Sequence, residues 1–319
     1  MSTHHRFPLQ VTFLGTAGTA PSAHRNPSAI LLSREGELIL FDCGEGTQQQ
    51  MMRAKTGMRA LSTICITHFH GDHILGIPGI LMTFAFHERQ EPLWIVGPRG
   101  TQRLVETLST LGGFQVNFPV KAVELQPGEP LEREGYRILP FKTDHTGRSM
   151  GYVLEDPPRP GKFDKPKALA LGIPEGPLFG KLQRGQAVAL PDGRNFRPED
   201  VLGPSRPGRR VVYTGDTRPC DATVEAARGA DLLIHDGTLA NDQAEWAREA
   251  RHSTAAEAAG VAKRAGVHRL VLTHISTRYE ENPAALLEEA RPIFPGTVIA
   301  RELATLEVPF RDVEPPKSR

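Results

Sequence analysis

Leu61-Ser62-Thr63-Ile64-Cys65-Ile66-Thr67-His68-Phe69-His70-Gly71-Asp72-His73 decides how the rest of this chain is read. Leu61 to Ile66 is an apolar run of strand length, and the six positions from His68 to His73 hold three imidazoles and a carboxylate. On an extended segment alternate side chains share a face, so His68 and His70 can grip one ion. A turn through Gly71 then brings Asp72 and His73 to a second. Chance explains this poorly, because histidine is sparse, 12 in 319 residues. A structural zinc cage is the better rival, but such cages favour cysteine pairs, and the chain has no Cys-x-x-Cys. The motif predicts an open, catalytic, dinuclear centre.

The chain is long enough to bury a large core as one domain or two modest ones. A formal net charge of +1 says nothing global about partners, so any affinity for nucleic acid must come from local asymmetry. Cys43, Cys65 and Cys220 are odd in number and unpaired in spacing, as expected of reduced residues in the cytoplasm. No apolar run approaches the roughly 18 residues of a membrane span, and the polar opening from Met1 to Arg6 lacks a signal-peptide core. A cytoplasmic location without membrane partners is expected.

Working outward, Val11 to Leu14, Ala29 to Leu32 and Leu38 to Phe41 read as an antiparallel meander separated by turn residues. A short helix is expected over Glu45 to Arg53, another from His73 towards Phe86, a strand at Leu93 to Val96 and a helix from Arg99 to Leu111. Strands follow around Tyr136 to Phe141 and Met150 to Leu154, then Val211 to Asp216, Asp231 to Asp236 and Arg269 to His274. The Ala-rich stretch from Ser253 to Ala265 is helical, with Ser253 and Thr254 as capping candidates. The tail from Arg311 is polar.

Between Arg159 and Arg210 the texture changes. Ten of the 27 prolines fall between Pro157 and Pro207, and eleven Lys/Arg stand against five Asp/Glu from Arg159 to Arg210. The local excess is six positive charges in a chain whose total is +1. Leu169, Leu171, Ile173, Leu178, Phe179 and Leu182 give this stretch apolar anchors, which suggests a small folded protrusion. We therefore expect a single domain over residues 1–319, with residues 157–208 inserted as a flexible, basic arm.

His68, Asp216, Asp236 and His274 all sit just after apolar runs, where layered α/β folds present ligands at one end of a sheet. His145, in Thr143-Asp144-His145-Thr146, lies between two strand-like segments. A lone Asp after a strand is usually a helix cap; so many coincident candidates point to one rim.

At these residues the chain resembles a known family. Leu14-Gly15-Thr16, Phe41-Asp42-Cys43-Gly44-Glu45, the His68 to His73 motif, Tyr213-Thr214-Gly215-Asp216-Thr217, Arg251-His252-Ser253-Thr254 and Leu272-Thr273-His274-Ile275-Ser276 are similar to the metallo-β-lactamase superfamily. The His252-Ser253-Thr254 segment and the basic insertion narrow this to its ribonuclease Z branch of tRNA 3′-processing endonucleases. The resemblance spans about Val11 to Val308. It implies an α/β fold, an αββα sandwich with a protruding basic arm, and two zinc ions per subunit, with manganese or iron also compatible with such donors. One zinc would be held by His68, His70 and His145, the other by Asp72, His73 and His274, with Asp216 bridging.

The implied reaction is metal-dependent hydrolysis of precursor tRNA just after the discriminator nucleotide, leaving a tRNA 3′-hydroxyl and a trailer 5′-phosphate. Paired divalent ions favour hydroxide at neutral pH and neutralise phosphoryl charge. Asp72 is assigned as general base. His252 is the general acid for the ribose oxygen, supported by Asp236 where the family usually has Glu. The resemblance also implies a homodimer in which the arm of one subunit clasps the tRNA cut by the other. In that arm Gly176, Pro177, Lys181 and Arg184 would meet RNA. Arg25 and Asn26, in Pro21-Ser22-Ala23-His24-Arg25-Asn26, would face the substrate end; Ala23 stands where the family often carries a Lys associated with rejecting CCA ends. Two rivals are a small-molecule hydrolase of the same fold (phosphodiesterase, arylsulfatase or thioesterase) and a non-catalytic RNA-binding protein. The basic arm argues against the first, and seven competent ligand positions against the second.

Overall fold

A computed structural model describes residues 8–311. The polar opening from Met1 to Arg6 and the polar tail beyond Arg311 lie outside the described residues. The chain divides into two compact units: one takes the chain up to Glu155 with Arg210–Pro309, the other takes Asp156–Arg209 with the segment from Phe310.

The first unit contains two seven-stranded sheets. In one, Thr305–Val308, Leu9–Gly15, Ala29–Arg34, Glu37–Phe41, Leu61–Cys65, Leu93–Gly97 and Val120–Glu124 lie side by side in that order. In the other the order is Thr297–Ile299, Leu270–Thr273, Leu232–Asp236, Arg210–Tyr213, Met150–Glu155, Tyr136–Lys142 and Leu131–Arg133. Both read in sequence as near-continuous apolar runs because both faces of each sheet are covered. Alternation then sorts the side chains by face. Ile30, Leu32, Ile39 and Phe41 join Tyr152, Leu154, Val211 and Tyr213 in a core between the sheets. Leu31, Leu40 and Ile64 turn the other way, under Met51, Ile80, Leu81, Phe84 and Val105 from the helices of the first half. Val153, Val212 and Leu233 lie under the Ala-rich helix Ala255–Ala265 and its neighbours. The result is the expected αββα sandwich.

Phe41 stacks between Tyr152 and Tyr213, at centroid distances of 5.8 and 5.7 Å. Both tyrosine hydroxyls are satisfied at the rim: Tyr152 Oη donates to Ile66 O at 2.6 Å and Tyr213 Oη to Asp42 Oδ2 at 2.8 Å. Core packing thus fixes the strand ends that carry the site.

Several helices differ from the sequence expectation at their starts. The run from His73 to Phe86 is two helices, Gly71–Ile74 and Ile77–Phe86. They part at Gly76, where a Cβ would lie 2.1 Å from Gly44 O, and Pro78 sits in the first turn of the second. Left-handed Gly46 and Gly100 delay the flanking helices to Thr47–Arg53 and Thr101–Leu108. Thr254, not Ser253, caps Ala255–Ala265, in a reciprocal capping box with Glu257. The sheet-edge strands Val120–Glu124, Leu131–Arg133, Thr297–Ile299 and Thr305–Val308 carry too few apolar residues to stand out in sequence.

The second unit has its own core of Ala168, Ile173, Phe179, Leu182, Val188, Leu190, Phe196 and Val201, built on helices Lys165–Ala170 and Pro177–Gln183 and the hairpin Val188–Ala189 with Asn195–Phe196. Leu171 and Leu178 pack against it, while Leu169 is exposed. Its two ends are clamped together: Asp156 N donates to Arg209 O at 2.9 Å, and a buried Arg209–Asp156 ion pair closes at 2.6 Å.

Candidate metal centre

Parallel strands in each sheet end at one rim. Glu37–Phe41 delivers Asp42 there and Leu61–Cys65 delivers Thr67 and His68. Arg210–Tyr213, Leu232–Asp236 and Leu270–Thr273, also mutually parallel, deliver Asp216, Asp236 and His274. The turn between Tyr136–Lys142 and Met150–Glu155 supplies His145. Gly215, at φ +60°, lets the two rims meet, since a Cβ there would sit 2.7 Å from the Thr67 side chain.

Among the described residues three overlapping His/Asp groups result; one joins Asp216 and His274 to Asp236 and His252, and the other two are the expected donor sets. His68, His70, His145 and Asp216 form one and Asp72, His73, Asp216 and His274 the other, with the ligand atoms in each set within 4.8 Å of one another. Asp216 divides its carboxylate between them. Its Oδ2 lies 3.7 Å from both His68 Nε2 and His145 Nε2, and its Oδ1 lies 3.4 Å from His73 Nε2 and 3.3 Å from His274 Nε2. Asp72 Oδ2 is 3.3 Å from His73 Nε2 and 3.4 Å from His274 Nε2.

Four imidazoles are aimed by a hydrogen bond on the opposite nitrogen, which fixes the tautomer that leaves an Nε2 lone pair facing inward. His73 Nδ1 donates to Asp42 Oδ2 at 2.8 Å and His145 Nδ1 to Arg251 O at 3.0 Å. His68 and His274 use hydroxyl relays: Thr67 Oγ1, 3.0 Å from His68 Nδ1, donates onward to Asp42, and Thr238 Oγ1, 2.8 Å from His274 Nδ1, donates onward to Asp236 at 2.6 Å. Each hydroxyl has one proton and gives it to a carboxylate, so it accepts from the imidazole. Asp42 and His274 both hold left-handed backbone, φ +56° and +60°, strain of the kind that persists where surrounding structure over-determines a site.

These residues fit divalent cations. His68 Nε2, His73 Nε2 and Asp216 Oδ1 are buried with no hydrogen-bond partner, a costly state for polar atoms unless an ion satisfies them. Burial pushes the His68 and His145 imidazoles down, towards the neutral form a metal requires. Burial opposes charge on Asp216, yet the imidazoles of His274, His73 and His68 hold its carboxyl well below the usual range. Burial likewise disfavours cationic His73, and Asp216 and Asp42 override it, so this point favours positive charge.

His252 lies against the same centre, its ring 5.0 Å from those of His145 and His274. Its Nδ1 meets Asp236 Oδ2 at 2.9 Å. The shorter Asp reaches because Asp236 ends its strand fully buried and is locked by Thr217 N at 3.0 Å and Thr238 N at 3.0 Å. Burial opposes protonation of His252, but the Asp236 carboxylate raises it to about 9. Arg218 fixes the backbone here, donating to His252 O at 2.7 Å while paired with Glu257.

The remaining candidates are placed differently. Arg25 turns inward, donating to Thr16 Oγ1 at 2.6 Å and Ala300 O at 3.0 Å beside Glu302. Arg25 and Asn26 are both half-buried in this loop. Gly176, Pro177, Lys181 and Arg184 are exposed on the second unit, around the helix Pro177–Gln183. His24, His87 and His268 are exposed. Sequence reasoning assigned no role to Asp42, Thr67 or Thr238. The signal for Asp42 was available, since it follows a strand as Asp216 does, but hydroxyl relays exist only in three dimensions.

The family described as the β-lactamase superfamily domain matches residues 189–275, and that described as the anti-Pycsar protein Apyc1 matches residues 9–157. A ribonuclease Z of Methanosarcina acetivorans is 54% identical over 303 residues, covering 95% of this chain and 99% of the relative. One from Haloferax volcanii is 50% identical over 306 residues, 95% and 96% of the two chains. The crystal structure of human tRNase Z, short form, superposes with a TM-score of 0.68 at 27% identity, over 94% of this chain and 100% of that one.

Proposed function

The chain belongs to the ribonuclease Z family, and from that premise we propose how its own residues cut the 3′ trailer from precursor tRNA just after the discriminator nucleotide. It is a hydrolase, an endoribonuclease of tRNA 3′ processing, built on a fold that binds divalent metal. The observation that carries the reading is the division of Asp216 between two donor sets.

His68, His70 and His145 with Asp216 Oδ2 would hold one ion, and Asp72, His73 and His274 with Asp216 Oδ1 the other, two Zn²⁺ per subunit. Mn²⁺ or Fe²⁺ suits the same nitrogen and oxygen donors. When bound, such ions lower the pKa of water and neutralise charge on the phosphoryl group. Asp72, at the edge of the second set, positions and deprotonates the attacking water. His252 gives its proton to the departing ribose 3′-oxygen, and Asp236 holds the imidazole in the tautomer that leaves Nε2 for this task.

Exposed Lys181 and Arg184, with the Gly176-Pro177 turn, supply the RNA grip of residues 157–208, the tRNA exosite. Phosphate neutralisation by such side chains is salt-dependent and indifferent to sequence. Two subunits would pair through helices Thr47–Arg53 and Ile77–Phe86. What supports this is the apolar surface of Met52, Leu75, Met82 and Phe86, exposed by 59%, 55%, 46% and 83% on or beside helices joined by a Gln48–Thr83 hydrogen bond. No helix among the described residues is long and apolar enough to cross a membrane, and Cys43, Cys65 and Cys220 are free, which suits the cytoplasm. The test is incubation of purified protein with a 3′-extended precursor tRNA and mapping of the new ends. A 3′-hydroxyl on the discriminator and a 5′-phosphate on the trailer are expected; a cut elsewhere, or the opposite ends, overturns the reading.

A further inference from the structure

Beside the first donor set a cleft opens that the reaction as derived does not use. His68 and His70 line it together with Phe69, Pro98 and the run from Thr146 to Arg148. It encloses about 360 Å³, within the range of small-ligand sites and too small for a duplex. Phe69 is half-buried, with part of the ring packed on the helix-side core of the first sheet, so it is held rigidly while the rest of it lines the cleft. Arg148 is exposed; among the described residues its guanidinium donates to Arg99 O at 3.3 Å. The ring and the guanidinium converge on Gly100, where a Cβ would lie 3.0 Å from Phe69 Cε2 and 3.6 Å from Arg148 Nη1. A rigid aromatic surface beside a fork of donors is suited to a nucleobase and the phosphate attached to it.

Which nucleotide enters follows from His252. It stacks near His145 and His274, so the departing 3′-oxygen and the tRNA body lie on that side of the scissile phosphate. The cleft adjoins the first donor set on the side of His68 and His70, while His145 of the same set packs against both of these rings and against His252. The other ester branch of the same phosphorus is the 5′-oxygen of the trailer, which His252 does not serve. Resting on the assignment of His252 above, we propose that this cleft is the subsite for the first trailer nucleotide, with its base on Phe69 and its 3′-phosphate on Arg148, so that Phe69 is a specificity-determining residue.

The experiment uses precursor tRNAs identical except at the first trailer position, which carries either a base or an abasic ribose, and a third with a methylphosphonate after that nucleotide. With the wild-type protein the abasic substrate should lose roughly tenfold in kcat/KM, in line with one base–aromatic stack. Phe69→Ala should cut base and abasic substrates within about twofold of each other, and Phe69→Trp should restore the preference. Arg148→Gln should abolish the penalty for the methylphosphonate while keeping that for the abasic site. Equal wild-type rates with and without the base, or an undiminished preference in Phe69→Ala, overturn the subsite. Should Phe69→Ala fail to fold, the wild-type comparison and Arg148→Gln still decide. A protein that cuts none of the precursors overturns the family reading instead, a result distinguishable from indifference to the base.

Discussion

Asp236 holds two histidines at once: its Oδ2 meets His252 Nδ1 at 2.9 Å, and its Oδ1 reaches His274 through the Thr238 hydroxyl. The expected general acid and an expected metal ligand therefore hang on one buried carboxylate. From sequence alone, Asp236→Ala looks like the loss of an orienting group. The structure requires more, because Thr217 N, Thr238 N and Thr238 Oγ1 lose their buried acceptor together. We expect about 3–5 kcal/mol of destabilisation, as for a broken buried charged network, and weakened metal retention. Denaturant melts and metal analysis check both; unchanged stability would show that the network is dispensable.

Asp216→Ala should be the most damaging single ligand change, since both oxygens of that carboxylate serve a donor set. Metal analysis should find fewer than two ions retained, and a chelator should abolish wild-type activity with recovery on adding zinc or manganese. Two tightly bound ions in the variant with near-normal turnover would remove the bridging assignment.

How much of this was legible varies with the kind of interaction. The rim residues were readable because each polar side chain ends an apolar run, as Asp216 follows Val211 to Tyr213 and His274 follows Leu270 to Thr273. The strands were readable because those covered on both faces stay apolar throughout, while their arrangement as a sandwich was implied by the family resemblance. Helix starts were misread at Gly46, Gly76 and Gly100, where backbone conformation or close approach, not side-chain period, sets the break. The partners of Arg25 were not legible, because Ala300 lies far along the chain and only the fold brings its carbonyl to the guanidinium.

Deleting the segment between Pro157 and Pro207 is feasible because its flanks are already joined, Asp156 N to Arg209 O at 2.9 Å, so a short Gly/Ser closure spans the gap. Hydrolysis of a small activated phosphodiester should persist while precursor-tRNA cleavage collapses through lost affinity. Matched losses would mean that the segment supports the fold, and undiminished tRNA cleavage would remove the exosite.

The thiols report on packing independently of catalysis. Burial pushes Cys43 up to about 12 and Cys65 higher still, so neither supplies thiolate in the folded protein, whereas Cys220 is partly exposed. A thiol-specific disulfide reagent should titrate one cysteine in the native protein and all three after denaturation, and Cys220→Ser should abolish the native reaction. Rapid native labelling of Cys43 would place it outside the core.

His252 separates leaving-group chemistry from metal chemistry. A ribose oxygen is strongly basic as it departs and needs a proton, whereas a nitrophenolate leaves readily without one. Removing the proton donor should therefore hurt the two substrates unequally, and the inequality is the signal. His252→Ala is expected to cost on the order of 10²–10⁴-fold on precursor tRNA, the usual range for a positioned acid, and far less on a nitrophenyl phosphodiester. Because His252 packs against His145 and His274, metal content must be measured alongside. Matched losses on both substrates, with metal missing, would assign His252 to holding the centre together and withdraw its role as the acid.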